Sequence, residues 1–252
     1  MRILLTGAAG QLGRQMIACN QAHAITPLSR SELDITSLGD VRAAIRAHRP
    51  ELVLNAAAFN DVDRSQSEPD LAFRGNALGP KNLALASAES SAAVLHVSTD
   101  YVFDGEKATP YHEFDEPAPL SRYGHSKLAG ERAVRELNPR HYIARTAWVY
   151  EPLGNNFPKI LYALTQTHKE VRVVSDAKGS PTSAAHLAQA ILTLIETGAF
   201  GTYHLVGAGE GASRFEIAVH LLREMGLDNA LVPVPSTEYP RPAPRPLYSV
   251  LR

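Results

Sequence analysis

The chain has 252 residues, 44% of them hydrophobic and 20% charged, and its 25 basic and 26 acidic side chains leave a net charge of −1 at pH 7. These proportions are typical of a folded globular protein and exclude a disordered or low-complexity chain. The balanced charge argues against nucleic-acid binding, which needs a basic surface, and the single cysteine, Cys19, excludes an internal disulfide.

Short apolar runs alternate with longer amphipathic segments through residues 1–150, a pattern that predicts parallel strands joined by helices. The predicted strands are Arg2 to Thr6, Ala24 to Leu28, Leu52 to Asn55, Ala93 to Ser98 and His141 to Ala147. The predicted helices are Gln11 to Asn20, Leu38 to His48 with Thr36 as a candidate cap, Asp70 to Ser87, and Tyr123 to Leu137. The fold class is therefore α/β, with a doubly wound, Rossmann-like parallel sheet that forms a dinucleotide-binding domain.

The regular alternation loosens after Trp148, and residues 151–252 are expected to form mainly a smaller C-terminal substrate-binding lobe, with some segments returning to the sheet. Its predicted elements are helices at 157–168, 183–197 and 214–225 and strands at 171–174 and 202–206. The proline-rich tail, 232–246, is expected to be extended. The first residues resemble neither a signal peptide nor a membrane span, so we expect a cytoplasmic protein without a membrane partner.

A glycine-rich turn follows the first predicted strand, with Gly7, Gly10 and Gly13 spaced G-x-x-G-x-x-G. Glycines at a strand-to-helix junction permit a tight turn and let a pyrophosphate approach the backbone N–H groups at the positive end of the helix. The spacing differs by one residue from the G-x-G-x-x-G fingerprint, and a purely structural turn is the alternative. Its position after the first strand favours a nucleotide site.

Ser29 and Arg30 follow the second strand, where many NAD-binding proteins carry an acid that binds the ribose. An arginine there suits the 2′-phosphate of NADP, so we expect NADPH as the cofactor, with NADH possible. Asp34 follows closely and is a candidate to reach the adenine, or else a turn carboxylate. The third strand ends in the small residues 56–58, which suit close contact with a flat cofactor.

A tyrosine and a lysine four residues apart, Tyr123 and Lys127, share one face of the fourth predicted helix. An ammonium beside a phenol favours the phenolate, so we expect Lys127 to lower the pKa of Tyr123 toward the working pH. The hydroxyl of Thr99, after the fourth strand, is a candidate to complete the set. A lone Y-x-x-x-K pair is usually a surface pair, but its place after the glycine turn and the S-T-D segment indicates proton transfer.

With these motifs in place, the sequence resembles the extended short-chain dehydrogenase/reductases, and within them the dTDP-4-dehydrorhamnose reductase family. The resemblance covers nearly the whole chain, and its more specific segments are STDYVFDG at 98–105, RTAWVY at 145–150 and GSPT at 179–182. Further matching segments are TGAAGQLG at 6–13, YGHSKLAGE at 123–131 and RPLYS at 245–249.

The resemblance implies reduction of the 4-keto group of a dTDP-linked 4-dehydro-rhamnose by a reduced nicotinamide cofactor. It implies Tyr123 as proton donor, Lys127 as a ribose ligand that tunes the tyrosine, and Thr99 as a ligand of the keto oxygen. The implied cofactor contacts are Gly10, Gln11, Leu12, Asp34, Ile35, Ala56, Ala57 and Ala58. The implied substrate contacts are Asp100, Tyr101 and Trp148 at the sugar and Asn155, Asn156 and Arg245 near the phosphates.

Each implied substrate contact has a structural alternative. Trp148 is equally compatible with a core role, Asn155 and Asn156 with capping a helix, and Arg245 with a solvated tail. Gln15 stands where some relatives carry a glutamate that contributes to a magnesium-linked dimer, so we expect no metal site and leave a monomer or a homodimer open. Relatives usually continue beyond the RPLYS segment, so the lobe is expected to be short at its C-terminal end.

Two other functions remain open at this point. Nucleotide-sugar dehydratases place a glutamate directly after the T-D pair, whereas this chain has Tyr101, which favours a reductase. A non-catalytic NADP-binding subunit resembling the beta subunit of methionine adenosyltransferase is the first alternative. A reductase of a different nucleotide-sugar is the second, because the loops that line the pocket decide the substrate and the fold does not.

Overall fold

In the computed structural model of the protein, described for residues 1–151, 154 and 156–252, a six-stranded parallel sheet forms the centre of the molecule. Its strands are β1 (Arg2–Thr6), β2 (Ala24–Leu28), β3 (Leu52–Asn55), β4 (Ala93–Thr99), β5 (His141–Thr146) and β10 (Gly201–His204). Across the sheet they lie in the order β10-β5-β4-β3-β1-β2. Because β1 pairs with β2 on one side and β3 on the other, the chain reverses its winding direction at β1. Ligands bind at such a reversal, beyond the carboxyl ends of the strands.

Helices cover both faces of this sheet. The helices of the molecule are α1 (Gln11–Cys19), α2 (Leu38–His48), α3 (Val62–Ser67), α4 (Pro69–Phe73), α5 (Gly79–Glu89), α6 (Arg122–Leu137), α7 (Phe157–Thr165), α8 (Ala184–Thr197) and α9 (Arg214–Met225). Two of them, α7 and α9, belong to the C-terminal lobe. A short π-helical segment, Arg74–Leu78, joins α4 to α5, and a 3-10 turn, Asp100–Val102, follows β4.

Alternating side chains of the strands build two separate cores. Ile3 and Leu5 of β1 pack with α1 and α8, while Leu4 faces the opposite layer with Val41 and Ile45 of α2. Successive residues of a strand point to opposite faces, so an uninterrupted apolar strand requires cover on both sides. The fold class predicted from the sequence is therefore confirmed, and the predicted strands coincide with the observed ones to within one or two residues.

A smaller set of elements packs beside the carboxyl edge of the sheet. Its strands are β6 (Val149–Tyr150), β7 (Glu170–Val174), β8 (Lys178–Gly179), β9 (Thr182–Ser183), β11 (Ala212–Ser213) and β12 (Ala230–Val234). β7 and β12 form a parallel pair, and their apolar residues form a separate core with α7 and α9. A last segment, residues 242–252, runs back across the edge of the main sheet, where single bridges join Tyr111 to Leu251 and Lys178 to Tyr248.

Three details of the predicted elements are wrong. The side chain that caps α2 is Ser37, which accepts from the backbone N–H of Asp40, whereas Thr36 instead hydrogen-bonds Asp34. The single helix expected over 70–87 is divided into α4, the π-helical segment and α5, and Asn76 within that segment binds the backbone of Phe59. The tail is not extended throughout, because a 3-10 turn, Ser236–Glu238, follows the extended strand β12.

Candidate active site

The glycine-rich turn lies directly beyond β1, at the reversal of the sheet. Gly7 has a φ of +73°, and a Cβ placed there would lie 2.6 Å from the carbonyl carbon of Ala56 and from the backbone nitrogen of Ala57. A side chain is excluded by both conformation and space. Gln11, Leu12 and Gly13 form the first turn of α1, whose amide groups give this end of the helix its positive dipole.

A cleft of about 450 Å3 opens beside this turn. It brings together many of the residues expected to contact the cofactor, namely Gly7, Gly10, Arg30, Asp34, Ile35, Ala56, Ala57 and Ala58. Asp34 lies exposed at the rim, where two hydrogen bonds from Thr36 hold the pKa of its carboxyl below the usual range, with smaller contributions from Arg30 and Arg74. The shape, the small residues and the bare backbone fit a dinucleotide.

Two of the arginines around this cleft were not identified from the sequence. Arg64 of α3 and Arg74 of the π-helical segment line it together with the predicted Arg30, so three cationic groups surround one cavity. Arg64 also makes a bidentate ion pair with Glu68, at 2.7 and 3.1 Å. The glycine turn does not point to Arg64 or Arg74, because segments remote from it in the chain carry both arginines to the cleft.

Tyr123, Lys127 and Thr99 meet at the carboxyl end of β4, as the sequence predicts. Tyr123 stands in the first turn of α6, where Ser121 caps the helix by accepting from the N–H of Gly124. A Cβ at Gly124 would overlap the carbonyl oxygen of Tyr101, so only glycine lets α6 approach the turn after β4 this closely. The Thr99 hydroxyl caps that turn by accepting from the N–H of Tyr101, at 3.2 Å.

The pKa of Tyr123 moves opposite to the direction expected from the sequence. Burial raises the pKa of its phenol well above the ordinary value, the nearby charge of Asp100 raises it further, and a hydrogen bond to Thr99 offsets only part of this. Removing a phenol from water disfavours its charged form. In this structure the phenol Oη lies 3.4 Å from Oδ1 of Asn60, and it is protonated at neutral pH.

Lys127 points into the sheet from the same face of α6. Its Nζ donates to the carbonyl oxygen of Val97 at 2.6 Å, and the residue is only 2% exposed. Burial lowers the pKa of the ammonium to about 8, and the charge of Glu131 one turn further along α6 opposes this shift. Glu131 is itself held by Arg145, with Nη2 2.8 Å from Oε2, and by the Ser98 hydroxyl.

Asp100 is a fully buried carboxyl beside the tyrosine. It accepts from the Thr99 hydroxyl at 3.0 Å and from the Ser249 hydroxyl at 2.6 Å, so the last segment of the chain closes one wall of the site. Burial raises the pKa of Asp100 to about 6, although both hydrogen bonds lower it. Ser249 was not singled out as a site residue from the sequence, since its position 149 residues from Asp100 hides the contact.

Tyr101 contacts both Tyr123 and Arg245. The Tyr101 ring meets the Tyr123 ring edge to face, with centroids 5.7 Å apart. Arg245 binds Asp63 of α3 through two hydrogen bonds of 2.9 Å and contacts the phenol of Tyr101. Burial opposes its charge, but these hydrogen bonds raise the pKa of Arg245 overall. The residue is therefore partly buried and paired, and the solvated tail position is ruled out.

Trp148, the single tryptophan, stands between the sheet and the smaller lobe. Its φ of +44° is unusual for a residue with a side chain, and a Cβ at Gly179 would lie 2.5 Å from the indole. Such a constrained conformation persists only where the surroundings hold it. The guanidinium of Arg214, a residue not identified from the sequence, lies 3.9 Å from the centroid of the indole.

Of the two asparagines expected near the phosphates, the structure describes Asn156. Asn156 caps α7 by accepting from the N–H of Lys159, and it donates to the backbone of Glu151 and, at 3.4 Å, to Gln11. The capping alternative is therefore present, although the side chain also contacts the start of α1. Asn155 lies outside the described residues.

Gln15 stands at the position where a magnesium-linked dimer would need an acid. Its side-chain amide donates to the Glu151 carboxylate at 3.3 Å. Glu151 also pairs with Arg14. Across residues 1–151, 154 and 156–252, no group of three or more His, Cys, Asp or Glu side chains is arranged to hold a metal ion. In those same residues, no helix combines the length and hydropathy needed to cross a bilayer.

Together, the doubly wound sheet, the glycine turn at its reversal and the Thr99, Tyr123 and Lys127 set define a nucleotide-binding reductase of the short-chain dehydrogenase/reductase class. Within this class, the chain belongs to the family described as RmlD substrate binding domain, which it matches over residues 1–252.

Similar proteins support this assignment along nearly the whole chain. A dTDP-4-dehydrorhamnose reductase from Mycobacterium tuberculosis is 42% identical over 99% of this chain and 84% of the relative. The crystal structure of a dTDP-4-dehydrorhamnose reductase from Clostridium acetobutylicum is 44% identical with a TM-score of 0.97, over 100% of this chain and 90% of the other. A Bacillus anthracis dTDP-4-dehydrorhamnose reductase in complex with NADP is 39% identical with the same TM-score of 0.97, over 100% and 90% of the two chains.

Proposed function

We propose that this chain is an NADPH-dependent reductase that converts the 4-keto group of dTDP-4-dehydro-L-rhamnose to the hydroxyl of dTDP-L-rhamnose. The observation that carries the proposal is the convergence of Thr99, Tyr123 and Lys127 next to a cleft that fits a dinucleotide. The M. tuberculosis relative, named for this reduction, and the B. anthracis structure with NADP support both the substrate and the cofactor.

NADPH, when bound, supplies the hydride that adds to C4 of the sugar. The residues that would hold it are those of the turn, Gly7 to Gly13, the backbone of 56–58, and Asp34 with Ile35 at the far end of the cleft. Arg30 and Arg74 flank Asp34 and supply positive charge that suits the 2′-phosphate of NADPH. Lys127 is proposed to bind the nicotinamide ribose and to hold the site's positive charge beside Tyr123.

Tyr123 is proposed to donate its phenol proton to the 4-oxygen as the carbonyl becomes an alkoxide. Because burial raises the pKa of this phenol, the residue begins the reaction as the acid that a reduction requires. The Thr99 hydroxyl is placed to hold the same oxygen as the phenolate forms. The proton balance is complete once the phenolate is reprotonated from solvent.

The sugar is proposed to lie against Asp100, Tyr101 and Trp148, the first two of which lie beside Tyr123. Asn155, Asn156 and Arg245 are proposed to lie nearer the phosphates. Asp63 holds the Arg245 guanidinium in place across 182 residues of sequence. The oligomeric state is proposed to be a monomer or a homodimer, which light scattering distinguishes.

The test is NADPH oxidation at about 340 nm with dTDP-4-dehydro-L-rhamnose generated in the same reaction, with a control that lacks the sugar. Tyr123→Phe keeps the ring and removes the proton, so turnover should fall by about 100- to 10,000-fold, the usual contribution of general acid catalysis. NADPH binding should be unchanged in this variant. Tyr203→Phe, on β10 with its hydroxyl bound to Ala199, is the matched control and should keep full activity.

The outcomes separate the proposal from its two alternatives. Unchanged turnover in Tyr123→Phe would reject the assigned proton donor. NADPH binding without turnover of this sugar, but with turnover of another nucleotide-linked keto sugar, would indicate a reductase of a different substrate. NADPH binding without turnover of any such sugar, together with a stable protein complex, would indicate the non-catalytic subunit.

A further inference from the structure

Arg214 stands at the first position of α9, at the boundary between the smaller lobe and the candidate active site. Ser213 caps the helix and Glu216 completes a capping box, so the backbone that carries Arg214 is held on both sides. Its guanidinium lies 3.9 Å from the centroid of the Trp148 indole and 5.0 Å from that of the Phe157 ring. These cation–π contacts hold the guanidinium over the indole and leave its N–H donors for other partners.

No hydrogen bond or ion pair occupies those donors within the part of the chain that the structure describes. The charges of the Tyr101 phenol and the Asp100 carboxyl favour the Arg214 cation, and the charge of Arg241 opposes it. Asp100 already accepts from Thr99 and Ser249 and makes no hydrogen bond to Arg214 among the described residues. Partial burial lowers the pKa of the Arg214 guanidinium, so the structure maintains this cation against a desolvation penalty.

The surrounding charge is also positive. Arg241 and Arg245 share the single carboxylate of Asp63, at 3.9 and 2.9 Å, on the same side of the site. Arg214 and Arg245 therefore both act on Tyr101, Arg241 lies near Arg214, and the acids near these three arginines are Asp63 and the buried Asp100. An anion between Arg214 and Arg245 would balance this excess, and a planar guanidinium matches two phosphate oxygens at once.

We propose that Arg214 binds the diphosphate of the nucleotide-linked sugar, with Trp148 serving as the surface that holds its guanidinium flat. The inference rests on the proposed function for the class of substrate, a nucleoside diphosphate sugar. It assigns to Trp148 a role through Arg214 in addition to contact with the sugar. It also explains why a tryptophan is held in a left-handed backbone conformation at this position.

The test uses dTDP itself, because binding can then be measured without turnover. Trp148 is the single tryptophan of the chain, so its fluorescence reports directly on the proposed contact, and calorimetry supplies an independent affinity. Arg214→Gln should weaken dTDP binding by about 10- to 100-fold, the factor expected when a charge-assisted hydrogen bond is lost. Thymidine, which carries no phosphate, should bind both proteins equally, and the affinity for NADPH should not change.

Arg223→Gln is the matched control, because it removes an exposed arginine of the same helix that pairs with its neighbour Glu224. It should bind dTDP as the unmodified protein does. Equal dTDP affinity in Arg214→Gln and the unmodified protein would overturn the inference, as would an equal loss for dTDP and thymidine. If the unmodified protein binds UDP or GDP in place of dTDP, and Arg214→Gln loses that binding, the inference stands while the proposed substrate fails.

Discussion

Replacing Glu131 by glutamine tests whether the buried ion pair behind Lys127 supports both the fold and the site. Glu131 and Arg145 have side chains that are 0% and 2% exposed, and the guanidinium donates to the carboxylate at 2.8, 3.0 and 3.2 Å. Glutamine keeps the shape of the side chain but leaves the Arg145 charge buried without its counter-charge. Breaking one half of such a pair costs about 3–5 kcal/mol.

The loss should be visible in the melting temperature. For a chain of this size each kcal/mol corresponds to about 2–4 °C, so Glu131→Gln should lower Tm by roughly 10 °C. Glu136→Gln, at an exposed position of the same helix, is the matched control and should melt within about 1 °C of the unmodified protein. The double substitution Glu131→Met with Arg145→Leu removes both charges and should recover most of the lost stability.

A second measurement separates this role from stability alone. The Glu131 carboxylate raises the pKa of Lys127, so its removal should move the alkaline limb of kcat/KM below its position in the unmodified protein. The profile is recorded well below the melting temperature, so that partial unfolding does not contribute. A Tm within about 2 °C of the unmodified protein, with an unmoved alkaline limb, would refute the reasoning.

Three further predictions concern the glycine turn, the approach of α6 and pH. Gly7→Ala should abolish measurable NADPH binding and lower Tm, because the new Cβ would lie 2.6 Å from the Ala56 backbone at a residue whose φ is +73°. Normal NADPH binding in a titration would contradict this prediction. Gly124→Ala should reduce kcat by about 100-fold with little change in NADPH affinity, because the new Cβ would meet the Tyr101 carbonyl oxygen and push Tyr123 away from Thr99. Full kcat in the NADPH assay would show that the close approach of α6 to Tyr101 is not needed. The activity of the unmodified protein should fall above pH about 8, because the pKa of Lys127 lies near 8 and its ammonium loses its charge above that pH. Activity that stays constant to pH 10 would reject a role for the Lys127 charge.

Local patterns correctly predicted where several candidate site residues lie in the fold. The glycine turn follows β1, the tyrosine and lysine share a face of α6, and Thr99 ends β4, because each depends on spacing along a strand or a helix. The alternation of apolar runs likewise predicted the parallel sheet. These features are set by interactions between neighbours in sequence, which a single sequence displays.

The direction of the Tyr123 pKa shift and the identity of several site residues did not follow from spacing. The expected lowering by Lys127 is absent, because the lysine points to the Val97 carbonyl and burial raises the pKa of the phenol. Arg214 reaches Trp148 from 66 residues away in the chain, and Ser249 reaches Asp100 from 149. No periodicity marks such contacts, since they depend on how the smaller lobe and the last segment pack against the sheet.

The sequence by itself determined the fold class, the glycine turn beyond β1 and the placement of Tyr123 and Lys127 on one face of α6, because backbone conformation and side-chain periodicity encode them locally. Only the tertiary structure decided which charges meet, as for Asp63 with Arg245, and which groups lose their water, as for Asp100 and Lys127. Burial and Coulomb interactions depend on distance in space rather than along the chain. Protonation in this site is therefore a property of the packed molecule.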